Sequence, residues 1–374
     1  MKKVVFSFLP LFLAGYAFFN GIPANEYKQN VEAKQLDGPY VLYRNDQVYT
    51  KYIVEENGVK SVKTDSVPLS QKSKLSFTVL TDEAGKTFNV KLKKELNNEK
   101  AEFNKVNKQF VISDIEGNFG ALRKLLQANG IIDENFNWTF GDGHLVLTGD
   151  FVDRGDQQTE VLWLIYSLEE KANAAGGHVH FVLGNHEIMN LNGDIRYLHA
   201  KYNEGNSLMN EHHMTLYGEN SEIGRWLRTK NVVEKIGNIL YAHAGISQDI
   251  NSLDLSAVKI NKLARPFYPD TTYQYPNLET DILFGDLGPF WYRGYYHGKV
   301  KATQAQVDST LSIYKVKHIA TGHTVVADTI SILYNGKVIN TDVHHAKGHT
   351  EGLLIENGKY YRAKQTGEKF LIKD

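Results

Sequence analysis

GDFVDRG, residues 149–155, follows the apolar run Leu145-Val146-Leu147 with only Thr148 between them, and this junction sets the reading of the chain. A short apolar run cut off by glycine and two aspartates is the end of a buried strand opening into a polar loop. Four further junctions repeat the pattern. SDIEGN at 113–118 follows the apolar stretch 110–112, and GNHE at 184–187 follows 179–183. AHAG at 242–245 ends the stretch 239–242, and TGHT at 321–324 follows 318–320. Leu122, Leu125 and Leu126 give helical spacing after the first junction, and residues 159–171 form an amphipathic stretch after the second. Strand, polar turn and helix in alternation predict an α/β layered domain. In such sheets, ligands bind at the carboxyl ends of the strands, where all five polar clusters fall.

The clusters share one chemistry. They hold Asp, Glu, Asn and His, and the chain contains no cysteine. Oxygen ligands mixed with imidazoles, without thiolates, favour Mn, Fe or Zn over a soft-metal site. Two such ions roughly 3.5–4 Å apart can clamp a phosphate and activate a water, provided that one carboxylate bridges them. Taken singly, each aspartate serves as well for a turn or a loop cap.

The motifs resemble those of the calcineurin-like metallophosphoesterases, within them the phosphoprotein phosphatase group. GDFVDRG is similar to that group's GDxxDRG, and GNHE keeps its terminal Glu. GNHEIMNLNGDIRY at 184–197 and GPFWYRGY at 288–295 resemble, more narrowly, the Shewanella-like protein phosphatases. The resemblance spans about 110–345 and implies a layered β-sandwich flanked by helices, with a catalytic domain over 109–374. It implies two divalent metal ions, one held by Asp114, Glu116 and Asp150 and the other by Asp150, Asn185, His243 and His323. It also implies a metal-bridging hydroxide as nucleophile, His186 as general acid and Asp153 orienting it. Arg154 and Arg293 match phosphate-holding positions, Asn185 is a further phosphate contact, and Arg196 is a third arginine placed by the nearby GDIRY. Glu116 departs from the pattern, which has His there. Read as one extended segment, 114–116 puts both carboxylates on one face, so Glu116 is expected to ligate and to favour harder ions such as Mn. Asp342, in INTD, stands at a strand end comparable to one in the family.

The implied activity is hydrolysis of phosphomonoesters, with a phosphorylated protein (Ser/Thr or Tyr) or a small phosphate ester as substrate. A nucleotide or dinucleoside polyphosphate hydrolase shares the same core, and a phosphate-binding module without turnover is the reading from another class. With a formal net charge of −1 and no long basic tract, nucleic acid is not an expected partner.

Outside this region, Met1-Lys2-Lys3 and a nearly unbroken apolar stretch to Phe19 have the layout of a signal peptide, with cleavage near Ala24. The expected location is therefore periplasmic or secreted, with no stable membrane anchor after cleavage. Residues 25–108 read as a small β-rich accessory module with strands near 40–43, 48–54, 75–80 and 87–92, closed by a charged helical linker over 93–108. Residues 193–233 read as a polar helical insertion, expected to cap the site. His212, His213, His344, His345 and His349 are not expected to hold a further metal.

Overall fold

A computed structural model describes residues 33–298 and 301–373. The segment read as a signal peptide lies outside the described residues. Three strands, β1 (Lys34–Arg44), β2 (Gln47–Glu56) and β3 (Val59–Pro68), form an antiparallel sheet, and β4 (Ser76–Leu80) pairs with β5 (Thr87–Lys91). The main body follows with β6 (Glu102–Phe103), β7 (Lys108–Ile112), α1 (Phe119–Ala128), β8 (His144–Leu147), α2 (Gln158–Ala174), β9 (His178–Phe181) and α3 (Asn185–Asn192). Then come α4 (Ala200–Met209), α5 (His213–Leu216), α6 (Glu222–Leu227), β10 (Val233–Ile236), β11 (Ile239–Ala242) and β12 (His318–Thr321). The chain closes with β13 (Ser331–Leu333), β14 (Val338–Asn340), β15 (Glu351–Glu356), β16 (Lys359–Lys364) and β17 (Lys369–Lys373).

Two six-stranded sheets carry the site, in the orders β17-β16-β15-β7-β8-β9 and β13-β14-β12-β11-β10-β6. The period of two along each strand divides its side chains between two cores. On β7, Phe110 and Ile112 join Leu122 of α1, whereas Val111 joins Val146, Ile239, Ala320 and Ile339 between the sheets. Burial on both faces explains why these strands read as unbroken apolar runs. β7, β8 and β9 are parallel, as are β11, β12 and β14. Their carboxyl ends therefore gather at one edge, which brings the polar clusters together.

The expected helical linker is not a helix. Residues 93–107 are irregular apart from β6, which pairs in parallel with β10. Long-range ion pairs explain this: Lys93 pairs with Glu169 on α2, and Glu99 with Lys230, which also donates to Glu169 at 2.6 Å. These charges have buried partners far along the chain, where an isolated helix would place them in solvent. The insertion also departs from expectation. Instead of capping the site, α4–α6 pack on the N-terminal strands: Lys51 and Arg44 both reach Glu211 at 2.6 Å, and Tyr43 N–H donates to Asn220 O at 2.8 Å. Within 193–233, only Tyr197 lines the cavity into which these strand ends open.

Candidate active site

Six strand ends supply the site: Asp114 follows β7, Asp150 follows β8, Asn185 opens α3 after β9, and His243, His323 and Asp342 follow β11, β12 and β14. Tight backbone geometry holds them there. Asp114, Asp150, Asp153, Arg154 and His323 all have φ between 52° and 67°, a left-handed conformation in which side chains other than glycine are strained. Glu187 anchors the Asp150 turn, its carboxylate accepting the N–H groups of Asp150, Phe151 and Gly184 at 2.8–2.9 Å. Two glycines allow the carboxylates to approach. A Cβ on Gly184 would lie 2.2 Å from Asp150 Oδ1, and one on Gly322 would lie 2.2 Å from Asp114 Oδ2.

Asp150, His243 and His323 present ligand atoms within 4.8 Å of one another. The tautomer of His243 follows from its neighbours. Nδ1 lies 2.7 Å from the Thr148 carbonyl, which only accepts, so Nδ1 carries the proton and a neutral ring turns its Nε2 lone pair to the site. That Nε2 meets Asn185 Oδ1 at 3.0 Å, Asp150 Oδ2 at 3.1 Å and His323 Nδ1 at 3.1 Å. His323 Nε2 is buried without a hydrogen-bond partner among the described residues. Buried acceptors converging without donors fit a divalent cation. In the metal-free protein a proton plays that part: burial lowers the His243 imidazole, but Asp150 and then Asp114 outweigh it and hold it up at about 9.

Asp114 and Asp342, 6% and 5% exposed, line the same cavity of about 430 Å³. Burial, reinforced by Asp150, pushes Asp114 up to about 6 against the pull of His243. Burial, then Asp114 and Asp150, raise Asp342 well above the usual carboxylate range. Three buried acids in one cavity fit the family's requirement for cations.

His186 stands beside this group. Its Nδ1 lies 2.7 Å from Asp153 Oδ2, and its Nε2 lies 3.9 Å from Asp150 Oδ2. Burial lowers its pKa, but Asp150 and Asp153 outweigh this and raise it. Asp153 is itself fixed: Asn190 Nδ2 donates to Oδ1 at 2.9 Å, and Asn190 Oδ1 accepts from His213 Nε2 at 2.8 Å. Burial lowers His213 to about 4, which keeps it a neutral link in this chain.

The arginines divide. Arg293 borders the cavity and donates through Nη1 to His323 O and Thr324 Oγ1, each at 3.0 Å. Arg154 also borders it, over the Tyr197 ring at 5.4 Å, and is ion-paired to Glu116. Glu116 thus lines the cavity but turns to Arg154, outside the group of converging ligand atoms. The extended geometry read for 114–116 is replaced by left-handed residues at both positions, with φ of 52° and 50°. Arg196 is not brought to the cavity. It is 70% exposed and bound to Asp194, two residues away, at 2.6–2.9 Å.

Sequence reading overlooked Tyr197, Glu187, Asn190 and His213 as contributors to this geometry. Glu187 and Asn190 carried a signal, since both lie within GNHEIMN and follow His186 by one residue and by one helical turn. The ring of Tyr197 lies 5.1 Å from that of His186.

A sequence model of the calcineurin-like phosphoesterase family matches residues 108–327. The fold is similar to the crystal structure of a cold-active protein-tyrosine phosphatase from a psychrophilic Shewanella species, with 36% identity and a TM-score of 0.81, covering 90% of this chain and 99% of that one. Shewanella-like protein phosphatase 2 of Arabidopsis thaliana is 25% identical over 295 residues, 67% of this chain and 74% of that protein. A symmetrical bis(5'-nucleosyl)-tetraphosphatase of Buchnera aphidicola is 31% identical over 157 residues, 40% of this chain and 50% of that protein. With the matched segment covering every strand end from Asp114 to His323, the chain belongs to the calcineurin-like phosphoesterase family and is a metal-dependent phosphatase.

Proposed function

We propose that the protein is an exported protein phosphatase, acting on phosphotyrosine and other aryl phosphomonoesters through two divalent ions. The carrying observation is the buried acceptor set around His243 Nε2, with the His186–Asp153 pair at its side. Likeness to a tyrosine phosphatase over 90% of the chain supports the substrate class more strongly than the 40% shared with a tetraphosphatase. The amino-terminal layout supports export to a periplasm, and the oxygen and imidazole ligands support Mn, Fe or Zn.

Asp150, Asn185, His243 and His323 would hold one ion, and Asp114 and Asp150 the other. Bound there, the ions supply an acidified water and neutralise phosphoryl oxygens. The chain's own groups do the rest. Arg154 and Arg293 grip the phosphate with planar, permanently charged forks, and Asn185 lies beside them. His186 donates its Nδ1–H to the Asp153 carboxylate, and Asp150 and Asp153 favour the imidazolium over burial, so that its Nε2–H can protonate the leaving oxygen. A panel of phosphotyrosyl peptide, phosphoseryl peptide and dinucleoside tetraphosphate tests the assignment. The expected kcat/KM is highest on phosphotyrosine, and a tetraphosphate preferred over both peptides would reject it.

Glu116 acts here as the partner of Arg154, competing with the incoming phosphate for the guanidinium. Because the Arg154 side of that pair is half exposed, the effect is modest. Glu116→Gln is expected to lower KM roughly two- to fivefold with kcat nearly unchanged. A large fall in kcat together with loss of one bound ion would instead make Glu116 a ligand.

A further inference from the structure

At the amino ends of the same strands, remote from the catalytic edge, lies a second cavity of about 480 Å³. Gln109 at the start of β7, Ile239 at the start of β11 and His318 at the start of β12 border it. Asp114, His243 and His323 stand beyond the opposite ends of these three strands, four to five residues on, which is roughly 15 Å at about 3.3 Å per residue. The cavity is therefore no extension of the active site.

Its lining is strongly one-signed. Lys105, Lys317, Lys337 and Lys373 all border it, and none of its lining residues is acidic. Lys337 is neutralised by Asp308 at 2.7 Å, whereas Lys105, Lys317 and Lys373 form no ion pair with a described acidic side chain. Lys105 and Lys317 are exposed and Lys373 is half-buried, and together around one concavity the three ammonium groups raise the local positive potential and favour an anion. Neutral donors stand among them. Gln109, 3% exposed, has Oε1 occupied by the Tyr241 hydroxyl at 2.7 Å, which turns its amide N–H groups to other partners. His318 is not one of these donors, because its Nδ1–H is spent on Gly336 O at 2.9 Å; it packs edge-on to the Tyr360 ring at 5.2 Å. Tyr360 is 5% exposed and brings its phenol to the lining.

We infer that this cavity binds a small anion carrying two or more phosphate groups. Its volume suits a nucleotide-sized molecule. Several lysines spread around one rim match linked phosphates, whereas a single phosphate would engage only one or two of them. Ammonium groups supplied by Lys105, Lys317 and Lys373 from three separate segments bind as point charges, so chain-linked phosphates of differing spacing fit equally.

Calorimetric titration of the full-length metal-loaded protein with α,β-methylene adenosine diphosphate, which resists cleavage between its phosphorus atoms, tests the assignment. Binding is expected to survive Arg293→Ala, which weakens the catalytic site. It is expected to weaken on the order of tenfold per lysine removed in a protein carrying Lys105→Gln and Lys317→Gln. Hydrolysis of a small aryl phosphate by that double variant is expected to match the parent. Lys317→Gln alone gives the same reading if the double variant is unstable. Three results overturn the inference: binding abolished by Arg293→Ala and kept by the lysine variant, no binding by the parent, or equal weakening on neutralising the exposed Lys63 and Lys259.

Discussion

Asp150→Asn is expected to lower kcat/KM by about three orders of magnitude or more and to leave the protein unable to hold two divalent ions. Asparagine is the sharp substitution here. It has nearly the same shape, and it tolerates the left-handed conformation that Asp150 adopts at φ 60°. Its carbonyl can still accept the His186 N–H that Asp150 Oδ1 accepts at 3.0 Å, and Glu187 still anchors its backbone. Only the charge between the two cation positions is lost. The same change removes the main influence raising His243, so the imidazole of the metal-free variant falls from about 9 toward its ordinary value. Metal content after dialysis, together with histidine titration by NMR, separates the two effects. Retention of two ions at parental affinity would reject Asp150 as the shared ligand.

How much of this was legible in advance depended on whether a residue's partners lie nearby in sequence. The strand-end clusters were legible because each carries its own context, an apolar run buried on both faces and then a forced polar turn. β3 was not, because Lys60, Lys63 and Asp65 face solvent and the strand is defined by its ladder to β2. The segment 93–107 was misread for the opposite reason: Lys93 and Glu99 look like helix-surface charges until Glu169 and Lys230 come beside them. Arg196 failed through a short-range competitor, Asp194, which motif matching does not weigh. The extended geometry read for 114–116 failed through backbone conformation, since alternation of faces holds only for extended residues and this turn is left-handed. The lysine-lined cavity has no motif at all, because positions 105, 317 and 337, each just before a strand, meet position 373 at the end of β17 only when the sheets are assembled.

His186→Asn is expected to separate esters by their leaving groups. With 4-nitrophenyl phosphate, whose phenolate departs without a proton, the loss should be about tenfold. With a phosphoseryl peptide, whose alkoxide cannot depart unprotonated, it should be on the order of 10²–10⁴-fold, and phosphotyrosine should fall between. The geometry leads to this asymmetry: Asp153 Oδ2 accepts the Nδ1–H at 2.7 Å, and Asn190 and His213 keep Asp153 from turning away, so the Nε2–H of the imidazolium is the proton left to deliver. The pH dependence has a definite sign. Asp150 and Asp153 raise His186, so the donor form is populated below that raised pKa and lost as pH rises through it. The parent should therefore show an alkaline fall in kcat on the seryl ester that His186→Asn abolishes, while the profile on the nitrophenyl ester changes little. Equal losses on both esters, with the alkaline limb unchanged, would move His186 from proton donor to a support for the Asp150 turn. A single substitution tests the link behind it: Asn190→Ala should reproduce a weaker form of the same leaving-group dependence, because it acts on the proton only through the orientation of Asp153.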